Sequence, residues 1–342
     1  MPETSEKPTT SSPAGKRHFR PYLWNQWRRT YGASDAPIFV GPFLGEVGFE
    51  ALYWLPFLAQ LRHELGIERD RLIPITRGGA AVWYDAPKGI ELFDMRTPQD
   101  VRVENRMRHA ETGQLKQTHV RPFDRQVYRD VADTLGLSSY QTLHPAWMYQ
   151  TLRPFWEAET GLTWLQSRVR FTPMPLLNID GVTLPKDFVA VRFYFRPTFQ
   201  RSPLNLDFAT HCVRMIAKTN PVVILNNPHV VDDHLDFVPK DEPNVTILSD
   251  LVDLTPANNL AVQSAVLQQA LGYVGTYGGM AQLALRMGKP CVALYDEWHG
   301  TALPHRHLSD ALALSLRTTF TTLRVGDLPL LQSVLPAVTL AK

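Results

Sequence analysis

The chain has 342 residues, with 35 Lys+Arg against 33 Asp+Glu for a formal net charge of +2, 44% hydrophobic residues and two cysteines; at roughly 150 residues per domain this allows about two domains, each with a sizeable core. The near balance of charge excludes the basic excess or basic blocks through which nucleic-acid and anionic-membrane proteins usually bind. No run of about 18 uncharged apolar residues occurs, the N-terminus lacks an apolar secretory segment, and Cys212 and Cys291 sit inside apolar periodic stretches, so a cytoplasmic protein with two buried, reduced thiols is expected.

Residues 1–34 begin PETSEKPTTSSPAGKR, a composition that buries too little apolar surface to offset its ordering entropy, so the first half of this tail reads as disordered. Tyr22, Trp24 and Trp27 follow in a basic stretch; they suit either peripheral membrane contact or docking on the protein body, and docking is the plainer reading.

From Ile38 onward short apolar runs alternate with helical patterns, the signature of βαβ units and a mostly parallel sheet. Strands are expected at Ile38–Val40, Leu72–Ile75 and Glu91–Phe93. Between the first two, Val47, Ala51, Leu55, Leu58, Leu61 and Leu65 keep one helical face apolar, with a kink predicted at Pro56. Helices follow over 97–112 and 122–136, and the Trp-rich stretch 140–170 reads as helical packing or a linker. A second α/β set begins after the Pro-rich segment Phe171–Pro185, with strands at Phe188–Phe193, Val222–Leu225, Val245–Leu248, Tyr273–Val274 and Cys291–Leu294 and helices near 206–219, 257–271 and 278–287. Thr255-Pro256 supplies an N-cap and first-turn proline, and Gly288 a left-handed stop. The chain is therefore expected to form two α/β halves, 35–170 and 171–342, each an open Rossmann-like sheet, facing one another across a cleft.

Three segments carry candidate chemistry. Gly41-Pro42-Phe43-Leu44-Gly45-Glu46-Val47-Gly48-Phe49-Glu50 follows a strand and opens a helix, where open α/β sheets bind ligands; Glu46 and Glu50, four residues apart, share a helical face, and each is either a working carboxylate or a complement to the helix dipole. The spacing is not the G-x-G-x-x-G of dinucleotide sites, and the next strand ends in Thr76-Arg77-Gly78-Gly79 with no acid for a ribose, which weakens a nicotinamide reading. Val274-Gly275-Thr276-Tyr277-Gly278-Gly279 is a strand, a Gly-rich turn and a helix start, a diphosphate cradle of backbone N–H groups, and Asp296-Glu297 one strand later can take ribose hydroxyls. Val189-Ala190-Val191-Arg192 places a guanidinium at the end of an apolar strand, where it demands an anion: a ligand diphosphate or a core carboxylate. Arg196 and Arg201 lie in the following loop, and Asn226-Asn227 and Ser249-Asp250 end two strands as base or ribose contacts or as turn formers. No Asp-x-Asp, His-Glu-x-x-His, Cys-x-x-Cys or Gly-x-Ser-x-Gly occurs, so neither a dedicated metal nor a nucleophile elbow is expected, and His299, His305 and His307 read as a polar loop.

Thr276-Tyr277-Gly278-Gly279 with Ala281-Gln282-Leu283-Ala284 and Gly288-Lys289-Pro290 resembles the donor domain of GT-B fold glycosyltransferases, especially the heptosyltransferase-like and fucosyltransferase-like groups. Gly45-Glu46-Val47-Gly48-Phe49-Glu50 is similar to the Glu-Gly-Phe motif of protein O-fucosyltransferases of the second type. The resemblance covers about a quarter of the chain, and the strand at 189–193 lacks the His-x-Arg-Arg-x-Asp pattern of bacterial fucosyltransferases. It implies a GT-B glycosyltransferase with an acceptor-side N-terminal domain and a nucleotide-sugar-binding C-terminal domain. Transfer would be inverting and metal-independent, from a nucleotide-sugar donor to a glycan, lipid-linked or protein acceptor, without a further cofactor. Glu46 or Glu50 would be the base, and Arg192, Arg196, Ser249, Thr276, Tyr277, Gly278, Gly279 and Glu297 would hold the donor. A sugar-nucleotide epimerase or hydrolase on the same scaffold and a non-catalytic nucleotide-sugar-binding protein are the alternatives.

Overall fold

The computed structural model describes residues 21–32, 34–113, 116–179, 181–196, 199–231, 234–239, 241–296 and 303–339. The first half holds a four-stranded parallel sheet of β1 (Ile38–Val40), β2 (Leu72–Thr76), β3 (Ile90–Glu91) and β4 (Gln141–Leu143) in the order β3-β2-β1-β4. The second half contributes β5 (Val189–Arg192), β6 (Tyr194–Phe195), β7 (Val222–Ile224), β8 (Leu235–Asp236), β9 (Val245–Ile247), β10 (Tyr273–Thr276), β11 (Cys291–Tyr295) and β12 (Phe320–Arg324). Six of these form a parallel sheet in the order β12-β11-β10-β5-β7-β9, and β6 pairs antiparallel with β8 as a separate ribbon. The runs IFV, LIPIT and VAVR are buried throughout, as parallel strands covered on both faces require. Each sheet reverses its winding once, beside β1 in the first half and between β5 and β10 in the second; crevices at the carboxyl ends of strands at such points are where open α/β sheets bind ligands.

The loop after β1 leads into one helical run with three parts: an α segment at Val47–Phe49, a π turn at Glu50–Trp54 and an α segment at Leu55–Leu65. The irregularity expected at Pro56 falls in the turn before it. Proline offers no N–H and its ring crowds the carbonyl four residues back, so the helix widens by one residue there and resumes its regular winding from Leu55.

The two halves meet along glycines. A Cβ on Gly279 would lie 2.8 Å from Val47 Cβ and 3.1 Å from Gly48 N, and one on Gly48 would lie 1.7 Å from Gln282 Oε1. The helix Gly279–Arg286 therefore packs its first turn directly on the first turn of the Val47 helix, a closeness only glycine allows. Arg286, buried and with no acidic partner among the described residues, ties the seam further by donating from Nε to Ala51 O at 3.1 Å and from Nη2 to Thr172 O at 3.0 Å. One continuous apolar cluster runs from Trp54 and Phe57 through Leu283 and Leu285 to Phe320.

Several expectations change. Residues 21–32 form a helix, Pro21–Gly32, and Trp27 is buried edge-on against Phe57 and Trp147 at 6.1 and 5.6 Å; residues 1–20 and the side chains of Tyr22 and Trp24 lie outside the described residues. Within 140–170, Gln141–Leu143 is strand β4 rather than helix or linker, followed by helices Ala146–Trp156 and Leu162–Gln166. Glu91 ends β3, and Leu92–Asp94 turns as a 3₁₀ segment. The helix expected from Thr255-Pro256 starts at Asn259, because Asn258 turns back and its Oδ1 accepts Thr255 N at 2.8 Å. His305 and His307 lie on the helix Leu303–Ser315, not in a loop, and His299 lies outside the described residues. Cys212 and Cys291 are free and buried. Among the described residues no helix is long and apolar enough to cross a membrane, and no three His, Cys, Asp or Glu side chains gather as metal ligands.

Candidate functional site

The loop carrying Glu46 is fixed by side chains from several elements. Tyr128 Oη donates to Gly41 O at 2.5 Å, Gln117 donates to Pro42 O at 2.8 Å and accepts Leu44 N at 2.7 Å, Asn105 donates to Leu44 O at 3.1 Å, and Arg77 donates to Gly45 O. Gln117 is fully buried, so its amide has no role left but to brace this loop. Glu46 itself occupies the N-cap position of the Val47 helix without capping it, and its side chain is 52% exposed. Its Oε1 stands 3.9 Å from Arg196 Nη2, a cation from the other half. On the first-half side lies Lys116, whose Nζ sits 5.0 Å from the Phe49 ring centroid and 5.3 Å from that of Trp156. Burial lowers the Lys116 pKa, and the Glu46 charge opposes that.

Glu50 has a different environment. Its side chain is buried beneath the π turn, Oε1 accepts the Tyr84 hydroxyl at 2.6 Å, and Oε2 is buried without a hydrogen-bond partner among the described residues. Burial pushes its carboxyl up to about 7, against the Arg77 charge and the Tyr84 bond and with a further push from the Glu91 charge. A folded pKa near 7 against an ordinary 4.5 means that the folded chain holds a proton the unfolded chain has released. The resulting stabilisation is complete below the ordinary value and is lost as pH rises through 7. Buried His305, pushed down to about 4 chiefly by burial, has the opposite slope between its ordinary value and 4, which is why the comparison must be made against a variant. Between pH 5 and 8 the wild type should lose about 2–3 kcal/mol more in urea-unfolding free energy than Glu50→Gln, which keeps the Tyr84 bond; parallel curves would show Glu50 ionised in both states.

In the second half the Gly-rich turn divides its duties. Thr276 Oγ1 accepts Tyr194 N at 3.0 Å and donates to Tyr194 O at 3.2 Å, fastening β10 to β6, and Tyr277 N donates to Leu294 O at 2.7 Å while its ring packs edge-on at 6.3 Å from Phe320. Neither side chain lines the cavity described below. At Gly278 a Cβ would lie 2.0 Å from Tyr194 Oη and 3.3 Å from Arg196 Nη1, so the arginine crosses this helix start at van der Waals distance. Arg192 has a protein anion: Nε and Nη2 each reach Asp236 at 3.1 Å, and Nη1 donates to Gln263 Oε1 at 2.9 Å. Arg192 thus meets a core carboxylate and lines the cavity as well. Ser249 exchanges hydrogen bonds with Asn226, at 2.9 Å from its Oγ and 3.1 Å from its N, and stands away from the cavity. Asp296 Oδ2 accepts from Asn205 Nδ2 at 2.9 Å, and Glu297 lies outside the described residues.

Between the two sheets is a cavity of about 210 Å³. The first half lines it with Leu44, Gly45, Glu46, Val47, Arg77, Gly78, Phe93, Val101, Arg102, Asn105 and Arg106, and the second with Arg192, Tyr194, Arg196, Asn227, Val231, His234, Asn259, Leu260, Gly279 and Met280. Five arginines face one carboxylate, Glu46, among these residues, so the cavity is electropositive and suits a ligand with two or more negative charges.

No family model and no curated protein matches the sequence. Among solved structures, the chain is similar to a glycosyl transferase of family 9 from Veillonella parvula, at 13% identity and a TM-score of 0.44 over 88% of this chain and 91% of that one. It is also similar to the E. coli heptosyltransferase WaaC with ADP, at 10% identity and 0.39 over 77% and 88%. A third is the UDP-GlcNAc 2-epimerase of Methanocaldococcus jannaschii, at 11% identity and 0.34 over 90% and 93%.

Of the residues singled out from sequence, Glu46, Arg192, Arg196 and Gly279 line the cavity, whereas Glu50, Ser249, Thr276, Tyr277 and Gly278 do not. Sequence reasoning missed Arg102, Asn105 and Arg106, which project from one side of the helix Pro98–Thr112. Their spacing of three and four residues on a predicted helix was the available signal.

Proposed function

We propose that this chain is a glycosyltransferase that moves a sugar from a nucleotide-sugar donor to an acceptor hydroxyl with inversion at the anomeric carbon. The observation that carries the reading is an exposed carboxylate, Glu46, the one acid among the described lining residues of an arginine-rich cavity built from the carboxyl ends of both parallel sheets. The donor diphosphate lies against Arg196 and Arg77 and the start of the Gly279 helix, whose N–H groups carry about half a positive charge. Glu46 takes the proton of the acceptor hydroxyl as its oxygen attacks the anomeric carbon. The bond to the diphosphate oxygen breaks, and the arginines neutralise the charge that develops on the leaving group. The chain's own cations supply that compensation, so the step runs without a divalent metal. Arg192, on the same wall, also holds Asp236 of the β6–β8 ribbon that carries Tyr194. The acceptor is a glycan, lipid-linked or protein hydroxyl, met in the cytoplasm.

The test is a thermal-shift screen with UDP, GDP, ADP, CMP and dTDP. A nucleotide that binds the folded state at about 100 times its Kd stabilises it by about 2.7 kcal/mol, so one of them should raise Tm by several degrees. Arg196→Ala should weaken that ligand about tenfold. If none of the five shifts Tm, the proposal fails. With the base identified, acceptor-dependent release of the nucleoside diphosphate separates transfer from hydrolysis or epimerisation.

A further inference from the structure

We infer that Glu91 is a positioning residue for this site: its carboxylate pins the Arg77–Gly79 turn, and that one turn fixes both the Arg77 guanidinium beside Glu46 and the start of the helix Asn259–Gln269. The inference rests on the glycosyltransferase reading for its catalytic consequence, though not for its geometry.

Glu91 closes the edge strand β3. Its Oε1 accepts Gly78 N and Phe93 N, both at 3.0 Å, and its Oε2 accepts Gly79 N at 2.7 Å. Gly78 and Gly79 have φ of +67° and +77°, so consecutive N–H groups converge on one anion, an arrangement that a left-handed turn of glycines permits and other residues resist. On its far side the same turn carries the other half of the molecule. Gly78 O accepts Leu260 N at 2.8 Å and Ala261 N at 3.0 Å, two of the first-turn donors that a helix start leaves unsatisfied. A Cβ on Gly79 would lie 2.7 Å from Ala261 Cβ and 3.2 Å from Ala257 O, so the turn and the helix are in direct contact. Arg77, which precedes the two glycines, donates to the carbonyl of Gly45, the residue before Glu46. Arg77, Gly78, Asn259 and Leu260 all line the cavity. One carboxylate thus holds a turn from which two walls of the cavity are hung. Burial pushes the Glu91 carboxyl up to about 7 against the pull of its bonds to Phe93, Gly79 and Gly78; its two oxygens accept from both glycine N–H groups, whereas a glutamine can offer an acceptor to only one side.

The experiment is a double-mutant cycle of Glu91→Gln with Arg77→Met, read as kcat and KM, beside hydrogen exchange of the full-length protein. Glu91→Gln should lower kcat by about 30-fold, since misplacement by about an ångström costs that order. In the Arg77→Met background the further loss should be under about threefold, because two residues acting through one contact are not additive. Amide exchange in Glu91→Gln should quicken in peptides covering 41–50 and 256–262. A kcat within about threefold of wild type, or losses that multiply across the cycle, overturns the inference. Exchange that quickens at 77–79 alone overturns it independently of any activity, so a failed nucleotide screen and a failed positioning role are told apart. Should Glu91→Gln not fold, Glu91→Asp keeps the charge but withdraws it by one methylene, and the same expectations apply.

Discussion

Glu46→Gln is expected to lower kcat for sugar transfer by about 10²–10⁴-fold, the usual worth of a positioned general base, while leaving the Kd of the nucleoside diphosphate within about threefold. The substitution keeps the shape of the side chain and removes only its capacity to take a proton. It also removes the negative charge 3.9 Å from Arg196, so the leaving nucleotide should bind as well as before or slightly more tightly. Single-turnover kinetics beside calorimetric binding separates the two effects. A variant that kept transfer within tenfold of wild type, or that lost nucleotide affinity in step with rate, would assign Glu46 to binding instead. The loop geometry makes the test clean: four side chains hold the backbone from Gly41 to Gly45, and Glu46 takes no part in that bracing.

Arg192→Leu should cost about 3–5 kcal/mol of stability, because it leaves the Asp236 carboxylate buried with its paired charge removed. The side chains of the pair are only 10% and 8% exposed. The double variant Arg192→Leu/Asp236→Leu should recover most of the loss, since replacing both ions by apolar groups is often neutral. Chemical unfolding of the three proteins measures this. If Arg192 served chiefly as a donor-diphosphate ligand, Arg192→Leu would instead unfold at nearly the wild-type midpoint and lose nucleotide affinity, and adding Asp236→Leu would restore nothing.

The contrast between these two residues shows what the sequence could convey. Arg192 at the end of an apolar strand declared that an anion must be nearby, but not which one, because the partner comes from β8, 44 positions away, in a two-residue strand with no pattern of its own. Among the strands that were legible, β1, β2, β5, β7 and β10 are buried along their whole length and β11 up to Tyr295, while β9 was legible from its Val-Thr-Ile run although it is only half-buried. β4 and β12 escaped notice because most of their residues, in Gln141–Leu143 and Phe320–Arg324, are only partly covered and therefore polar. The Gly-rich turns were visible because glycine has a steric signature. Their division of labour was not: Gly48 and Gly279 serve one another across the seam, whereas Gly78 and Gly79 serve Glu91 and the Asn259 helix. Glu46 and Glu50 look alike on a helical wheel. A π turn beginning at Glu50 buries one and leaves the other facing the cavity.

That widened turn also sets how the segment tolerates insertion and deletion. Removing one residue from 50–54 would let the run relax to a regular α-helix, a change helpful to local hydrogen bonding, yet it would rotate Val47 and Gly48 by about 100° relative to the buried face of Leu55–Leu65. Gly48 would then turn from Gln282 and a bulkier neighbour would meet Gly279. Length in this stretch is thus held by the partner helix rather than by the helix's own stability, and natural variants should change residue type there far more readily than residue number.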